Sequence, residues 1–247
     1  MKYIGIIPAR YASTRFPGKP LIDIDGKTMI QRVYEQCMKS KLLSCVFVAT
    51  DDERIYNHVV SFGGQVVLTS SSHQSGTDRC LEAAKNMKMP VLQNDVVVNI
   101  QGDEPFIDPN QIDLLISCFS DSQTNIATLI KQINVSDDLF NINKPKVILN
   151  KDREAIYFSR TPLPYLRGVD ESQWLNNYTF YNHIGIYAYK MAVLEQITAL
   201  SASSLEIAES LEQLRWIENG FKIKTQVTDI ESVSIDTPED LKKLKKE

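Results

Sequence analysis

The chain has 247 residues, a formal net charge of −4 and 43% hydrophobic residues. That length suffices for one large α/β domain, or one domain carrying a small lobe, and the acid excess argues against a nucleic-acid binder. Four cysteines (Cys37, Cys45, Cys80, Cys118) and three histidines (His58, His73, His183) fall without metal-ligand spacing, which points to reduced thiols rather than a zinc site. No apolar run approaches the ~20 residues that span a bilayer, and Met1-Lys2 leads straight into an apolar run rather than a signal peptide. The expectation is a cytoplasmic protein with no membrane partner.

In chain order, residues 3–7 read as a short apolar strand, followed by the loop PARYASTRFPGKPL (8–21) with three cations, Arg10, Arg15 and Lys19. Residues 29–39 place Met29, Ile30, Val33, Cys37 and Met38 on one helical face. CVFVAT (45–50) reads as a buried strand. Asp51-Asp52-Glu53 then puts acid at the start of a helix, where the dipole favours it, and Gly63-Gly64 stops that helix. A strand at 65–69, a helix at 77–87, a strand at 95–100 and a helix from Asp108-Pro109 to about 119 complete the first half. Continuous apolar strands alternating with helices predict a doubly wound α/β domain, its parallel sheet covered on both faces.

The second half is richer in strands, predicted at 126–133, 146–149, 156–159, 180–189 and 221–227. A helix is predicted over 205–219, with Leu205, Ala208, Leu211 and Leu214 inward, ending at Gly220. A terminal helix begins at Pro238, capped by Asp236 or Thr237. The reading is one domain with an inserted β-rich lobe.

Ligands of open α/β sheets sit at the carboxyl ends of strands, where the cationic loop lies. Arginine and lysine there can clamp phosphates. The loop has neither GxxxxGK[ST] nor GxGxxG, which argues against a P-loop ATPase and a dinucleotide dehydrogenase. NIQGDEPF (99–106) ends a buried strand with a glycine turn and two acids. Asp103 is the better Mg²⁺ ligand candidate there and Glu104 the second. In SIDTPEDL (234–241), Asp236 reads either as a helix cap or as a second metal ligand. HQSGTDRC (73–80) suits contact with a base or ribose, and equally an ordinary capped turn. SRTPLPY (159–165) sets Arg160 at a strand end, and NHIGIYAY (182–189) puts His183, Gly185, Tyr187 and Tyr189 on one face. For those tyrosines sheet packing is the plainer account. Glu209, Glu212 and Gln213 lie beside the apolar stripe of the predicted 205–219 helix.

Taken together, IIPARYASTRFPGKPL, HQSGTDR, NIQGDEP, SRTPLPY, HIGIYAY, LEQLR and IDTPEDL resemble, in order, the 3-deoxy-manno-octulosonate (Kdo) cytidylyltransferases. The first motif alone is shared with the wider group of sugar nucleotidyltransferases, including sialic acid activators. The resemblance implies a GT-A-like nucleotidyltransferase fold, with a nucleotide-binding core over about 1–130 and 221–247. It also implies a sugar-binding and dimerisation lobe over about 131–220, a homodimer and Mg²⁺ dependence. The implied substrates are CTP and Kdo, and the implied products CMP-Kdo and pyrophosphate, for lipopolysaccharide assembly. By resemblance, Arg15, Lys19, Asp103 and Asp236 are catalytic, and the two aspartates hold the metal. Ala9, Arg10, Gln74, Ser75 and Arg79 would contact the nucleotide. Gln101, Arg160, His183, Tyr187, Glu212 and Gln213 would hold the sugar acid. Asn182 departs from the pattern, since relatives often carry a basic residue before the histidine. A related acid sugar (8-amino-Kdo or sialic acid) and a non-catalytic nucleotide sensor are the alternatives.

Overall fold

The computed structural model describes residues 1–12 and 16–244, the last three of these as backbone. The strands are β1 (Tyr3–Ala9), β2 (Asp23–Ile24), β3 (Lys27–Thr28), β4 (Cys45–Thr50), β5 (Val66–Leu68), β6 (Val96–Asn99), β7 (Ile126–Gln132), β8 (Lys146–Leu149), β9 (Ala155–Ser159), β10 (Tyr181–Lys190) and β11 (Ile223–Val227). The helices are α1 (Met29–Cys37), α2 (Glu53–Ser61), α3 (Gly76–Asn86), α4 (Pro109–Ser117), α5 (Ser136–Phe140), α6 (Trp174–Asn177), α7 (Met191–Thr198), α8 (Ser204–Glu209), α9 (Gln213–Glu218) and α10 (Pro238–Leu244). The chain divides into two compact units. The first is Met1–Asp113 with Ala188–Thr198 and Ser232–Glu247; the second is Leu114–Tyr187 with Ala199–Glu231.

In the first unit, β1 pairs in parallel with both β4 and β6, and β4 pairs in parallel with β5. Ile4, Ile6 and Ile7 of β1 and Val96 to Val98 of β6 are fully buried. Such strands, apolar on both faces, are what a helix-covered parallel sheet requires. Helix α1 starts where the Thr28 side chain accepts the Gln31 N–H, and it buries Met29, Ile30, Val33 and Cys37 as the spacing predicts. Met38 lies beyond the helix and is exposed instead, because the chain leaves the helix at that residue. Asp52 caps α2, and the chain turns after it through Gly63 at φ +79°.

Strand order in this unit is β6-β1-β4-β5. The chain runs from β1 outward to β4 and β5, then returns to β6 on the other side of β1. The order therefore reverses between β1 and β6, which makes the carboxyl ends of these two strands the switch point where ligands bind. The terminal segment reaches the same region, because Ile235 is fully buried in a cluster with Ile24 and Met29, against which Phe16 and Leu241 pack.

In the second unit, β7 and β11 pair in parallel, and β8 pairs antiparallel with β9 and β10. Its core includes Ile133, Leu139, Trp174 and Phe180. The predicted single helix over 205–219 is two helices, α8 and α9, broken at Ser210 with φ +51°. The cause is local. Arg160 Nε and Nη2 donate to the carbonyls of Glu209 and Ser210, groups that would otherwise bond along the helix. The break re-aims the apolar stripe: Leu211 and Leu214 are buried as expected, while Ala208 is exposed.

Candidate active site

Three segments meet at the switch point of the first unit. The loop after β1 turns at Gly18, whose φ of +73° suits glycine. Its N–H donates to the Tyr11 carbonyl, and a 3-10 turn then begins at Lys19. The turn after β6 brings Gly102 against β1: a Cβ there would stand 2.8 Å from the Pro8 carbonyl oxygen. The third segment is pinned by a backbone bond, Ile235 N–H to the Asp103 carbonyl at 2.9 Å. As a result the Lys19 ammonium lies 2.7 Å from Asp103 Oδ2 and 3.1 Å from Asp236 Oδ1.

The alternative for Asp236, that it only caps the terminal helix, is answered by the hydrogen bonds. Thr237 is the cap: its hydroxyl accepts the Asp240 N–H, and the Asp240 carboxylate accepts the Thr237 N–H in return. That leaves the Asp236 carboxylate to reach Lys19. Glu104, the second acid of the turn, is buried, and burial together with the Asp103 charge pushes its carboxyl up to about 7. It turns inward and is the weaker metal candidate. Two hard carboxylates converging on one positive charge fit Mg²⁺, a cation that takes one or two carboxylates and keeps waters.

The other predicted nucleotide residues lie around this centre. Ala9 ends β1 and is buried, and Arg10 follows it, exposed. Arg15 lies outside the described residues. A Cβ on Gly76, the first residue of α3, would lie 3.4 Å from the Pro8 ring, so this helix starts beside the end of β1. Ser75 is the N-cap of α3, accepting the Asp78 N–H, and Gln74 Nε2 donates to the Ser72 carbonyl. The capped turn is therefore real, and it lies beside the end of β1. Arg79 is buried, and its guanidinium donates to Thr69 Oγ1 at 2.6 Å and to Asp51 Oδ2 at 3.3 Å. It ties the start of α3 to the residues that follow β4 and β5. Gln101 is half-buried, just past β6.

The second unit holds the remaining predicted residues. Arg160 Nη1 donates to the Ile142 carbonyl, beside its bonds to Glu209 and Ser210. A guanidinium has five N–H groups, so two have no hydrogen-bond partner among the described residues. Gln213 is buried and its Nε2 has no partner among the described residues. Glu212 immediately precedes α9. Tyr187 is buried, and desolvation followed by the Glu212 charge holds its phenol well above the usual range.

His183 packs against the Phe158 and Tyr187 rings, its Nε2 3.1 Å from Thr128 Oγ1. Desolvation pushes this imidazole well below its ordinary value, so at neutral pH it offers a neutral ring. An unfolded chain takes up this proton near pH ~6.5, whereas the folded chain resists it. Stability is therefore expected to fall as pH drops below about 6.5. In urea titrations, His183→Gln should show a shallower loss between about pH 7 and 5 than the unmodified chain; an equal slope would refute the neutral ring.

Sequence reasoning passed over three residues. Lys146 is fully buried, with its ammonium on the carbonyls of Asn141 and Arg160 and its pKa lowered by desolvation to about 8. It fixes the backbone that carries Arg160. Asn99, at the end of β6, is buried, and its Oδ1 has no partner among the described residues. Glu82 of α3 accepts the Ser70 N–H and pairs with His73, tying down the loop that presents Gln74. A lysine inside a strand and a carboxylate inside a helix carry no local signal of these roles.

The cytidylyltransferase family model matches residues 4–246. A 3-deoxy-manno-octulosonate cytidylyltransferase of Parabacteroides distasonis is 60% identical, the match covering 98% of this chain and 96% of the relative. One of Bacteroides thetaiotaomicron is 57% identical over the same shares. This chain is a member of the 3-deoxy-manno-octulosonate cytidylyltransferase family. A solved structure of CMP:2-keto-3-deoxy-manno-octonic acid synthetase complexed with CTP superposes with a TM-score of 0.90 at 39% identity, covering 100% of this chain and 98% of that one. The expected nucleotidyltransferase fold with its mostly parallel sheet is therefore the fold of this cytidylyltransferase. No helix among the described residues is long and apolar enough to cross a membrane.

Proposed function

We propose that the protein transfers CMP from CTP to the anomeric C2 hydroxyl of Kdo, giving CMP-Kdo and pyrophosphate for lipopolysaccharide assembly. The observation that carries the proposal is the full-length match to Kdo cytidylyltransferases, whose expected acidic and basic residues converge here as Lys19, Asp103 and Asp236. In the reaction, the C2 oxygen bonds to the α-phosphorus while the bond from that phosphorus to the pyrophosphate oxygen breaks, and the hydroxyl proton passes to solvent. Charge gathers on the leaving pyrophosphate, where Arg15 and Lys19 neutralise it, while Arg10 anchors the nucleotide. Asp103 and Asp236 are the residues that would hold Mg²⁺. When bound, the ion neutralises phosphate charge and lowers the pKa of an attacking hydroxyl.

We assign the nucleotide to the first unit, where Ala9, Gln74 and Ser75 contact cytidine and Arg79 braces them. By the family resemblance, Gln101, Arg160, His183, Tyr187, Glu212 and Gln213 are assigned to recognition of the sugar acid. The spare N–H groups of Arg160 suit the Kdo carboxylate, and the Gln213 amide suits a hydroxyl. A cytoplasmic homodimer completes the proposal. Pyrophosphate release with CTP, Mg²⁺ and a panel of Kdo, 8-amino-Kdo and sialic acid tests it. Release with Kdo, abolished by chelator, is the expected result. Release only with another acid sugar overturns the substrate, and CTP binding without release from any of them favours a sensor.

A further inference from the structure

We infer that Lys19 is a built-in competitor for the divalent cation, so that the ion gains both Asp103 and Asp236 only when a nucleotide triphosphate draws the Lys19 ammonium away. The inference rests on the proposed function for the identity of the nucleotide, but its physical basis is separate. The ammonium stands 2.7 Å from one carboxylate and 3.1 Å from the other. A divalent ion ligated at ~2.1 Å by those oxygens needs the space the ammonium fills. Bound through the other carboxylate oxygens instead, it would still face a unit positive charge a few ångströms away.

Screening does little to relieve that conflict. The Lys19 and Asp103 side chains are only 16% and 23% exposed, so salt and water act weakly on the pair. What can move is the lysine side chain, because its backbone is held. Gly18 fixes the turn, and the Ile22 N–H bonds back to the Lys19 carbonyl at 3.2 Å. A lysine ammonium is a point charge on a flexible stem, and a triphosphate offers it more negative charge than two aspartates do. Ammonium and divalent ion would then exchange partners, the ammonium moving to phosphate oxygens and the ion to the two carboxylates.

Linkage makes the coupling reciprocal: whatever factor CTP contributes to cation affinity, the cation returns to CTP. The test measures Mn²⁺ binding to the full chain without nucleotide, by the paramagnetic resonance signal of free Mn²⁺, and repeats it with a non-hydrolysable CTP analogue. Beyond the Mn²⁺ that the analogue takes up alone, the analogue should raise Mn²⁺ affinity about tenfold or more in the unmodified chain and by clearly less in Lys19→Met. Lys19→Met should bind Mn²⁺ at least about tenfold more tightly than the unmodified chain when no nucleotide is present. Lys19→Arg, which keeps the cation, should show no gain, and Asp103→Asn added to Lys19→Met should erase it. Circular dichroism verifies folding of each variant. Equal Mn²⁺ affinity in Lys19→Met and the unmodified chain would overturn the inference, as would an unmodified chain whose affinity ignores the analogue. None of these readings needs turnover, so a failure to release pyrophosphate would leave them interpretable.

Discussion

Asp103→Asn is expected to lower turnover by at least about a hundredfold while leaving the fold intact. The substitution preserves shape, and the backbone bond from the Ile235 N–H to the residue 103 carbonyl does not depend on the side chain. What disappears is one full negative charge, 2.7 Å from the Lys19 ammonium and in the carboxylate pair proposed to hold Mg²⁺. Steady-state kinetics with saturating CTP and Kdo would show the loss in kcat. A second readout sits one residue on. The Glu104 carboxyl is held near 7 by burial first and by the Asp103 charge second. Its pKa should fall in Asp103→Asn, which carboxyl NMR can follow. A variant with near-normal kcat, or an unchanged Glu104 titration, would remove Asp103 from its proposed place.

The first unit was legible because local patterns and tertiary packing agree there. The strand CVFVAT, the acids before α2 and the glycine stop after it each act over a few residues, and the structure keeps them all. The convergence of Asp103 and Asp236 was not readable from spacing, since 133 positions separate them. It depends on Ile235 being buried with Ile24 and Met29, a contact between distant segments. The second unit was harder for the same reason. Periodicity favours an unbroken helix over 205–219, but a guanidinium from a distant strand end takes two carbonyls and breaks it at Ser210. Helix α6 lies in a polar stretch for which no element is predicted, and its Trp174 is buried and stacked on Phe180. One aromatic anchor orders a stretch whose polar composition suggests a plain loop.

Gly102→Ala is expected to damage both stability and activity, although the change adds a single methyl group. The new Cβ would stand 2.8 Å from the Pro8 carbonyl oxygen and 3.5 Å from the Ile7 side chain. The nearer atom belongs to the backbone of β1, which is paired on both sides with β4 and β6. No rotamer change relieves that contact, so the turn after β6 must move. A shift of this kind typically costs about 1–3 kcal/mol. Asp103 is the next residue, and its carboxylate would be carried away from Lys19. A misplacement near 1 Å can cost about a hundredfold in rate, and kcat/KM should fall by that order. Gly185→Ala in β10 is the control for stability, because a Cβ there meets no atom within 4 Å, and its change should stay within about 0.5 kcal/mol. Urea unfolding of the two variants beside the unmodified chain separates the cases. If Gly102→Ala unfolds at the unmodified midpoint and turns over normally, the close approach of this turn to β1 is not what positions the aspartate.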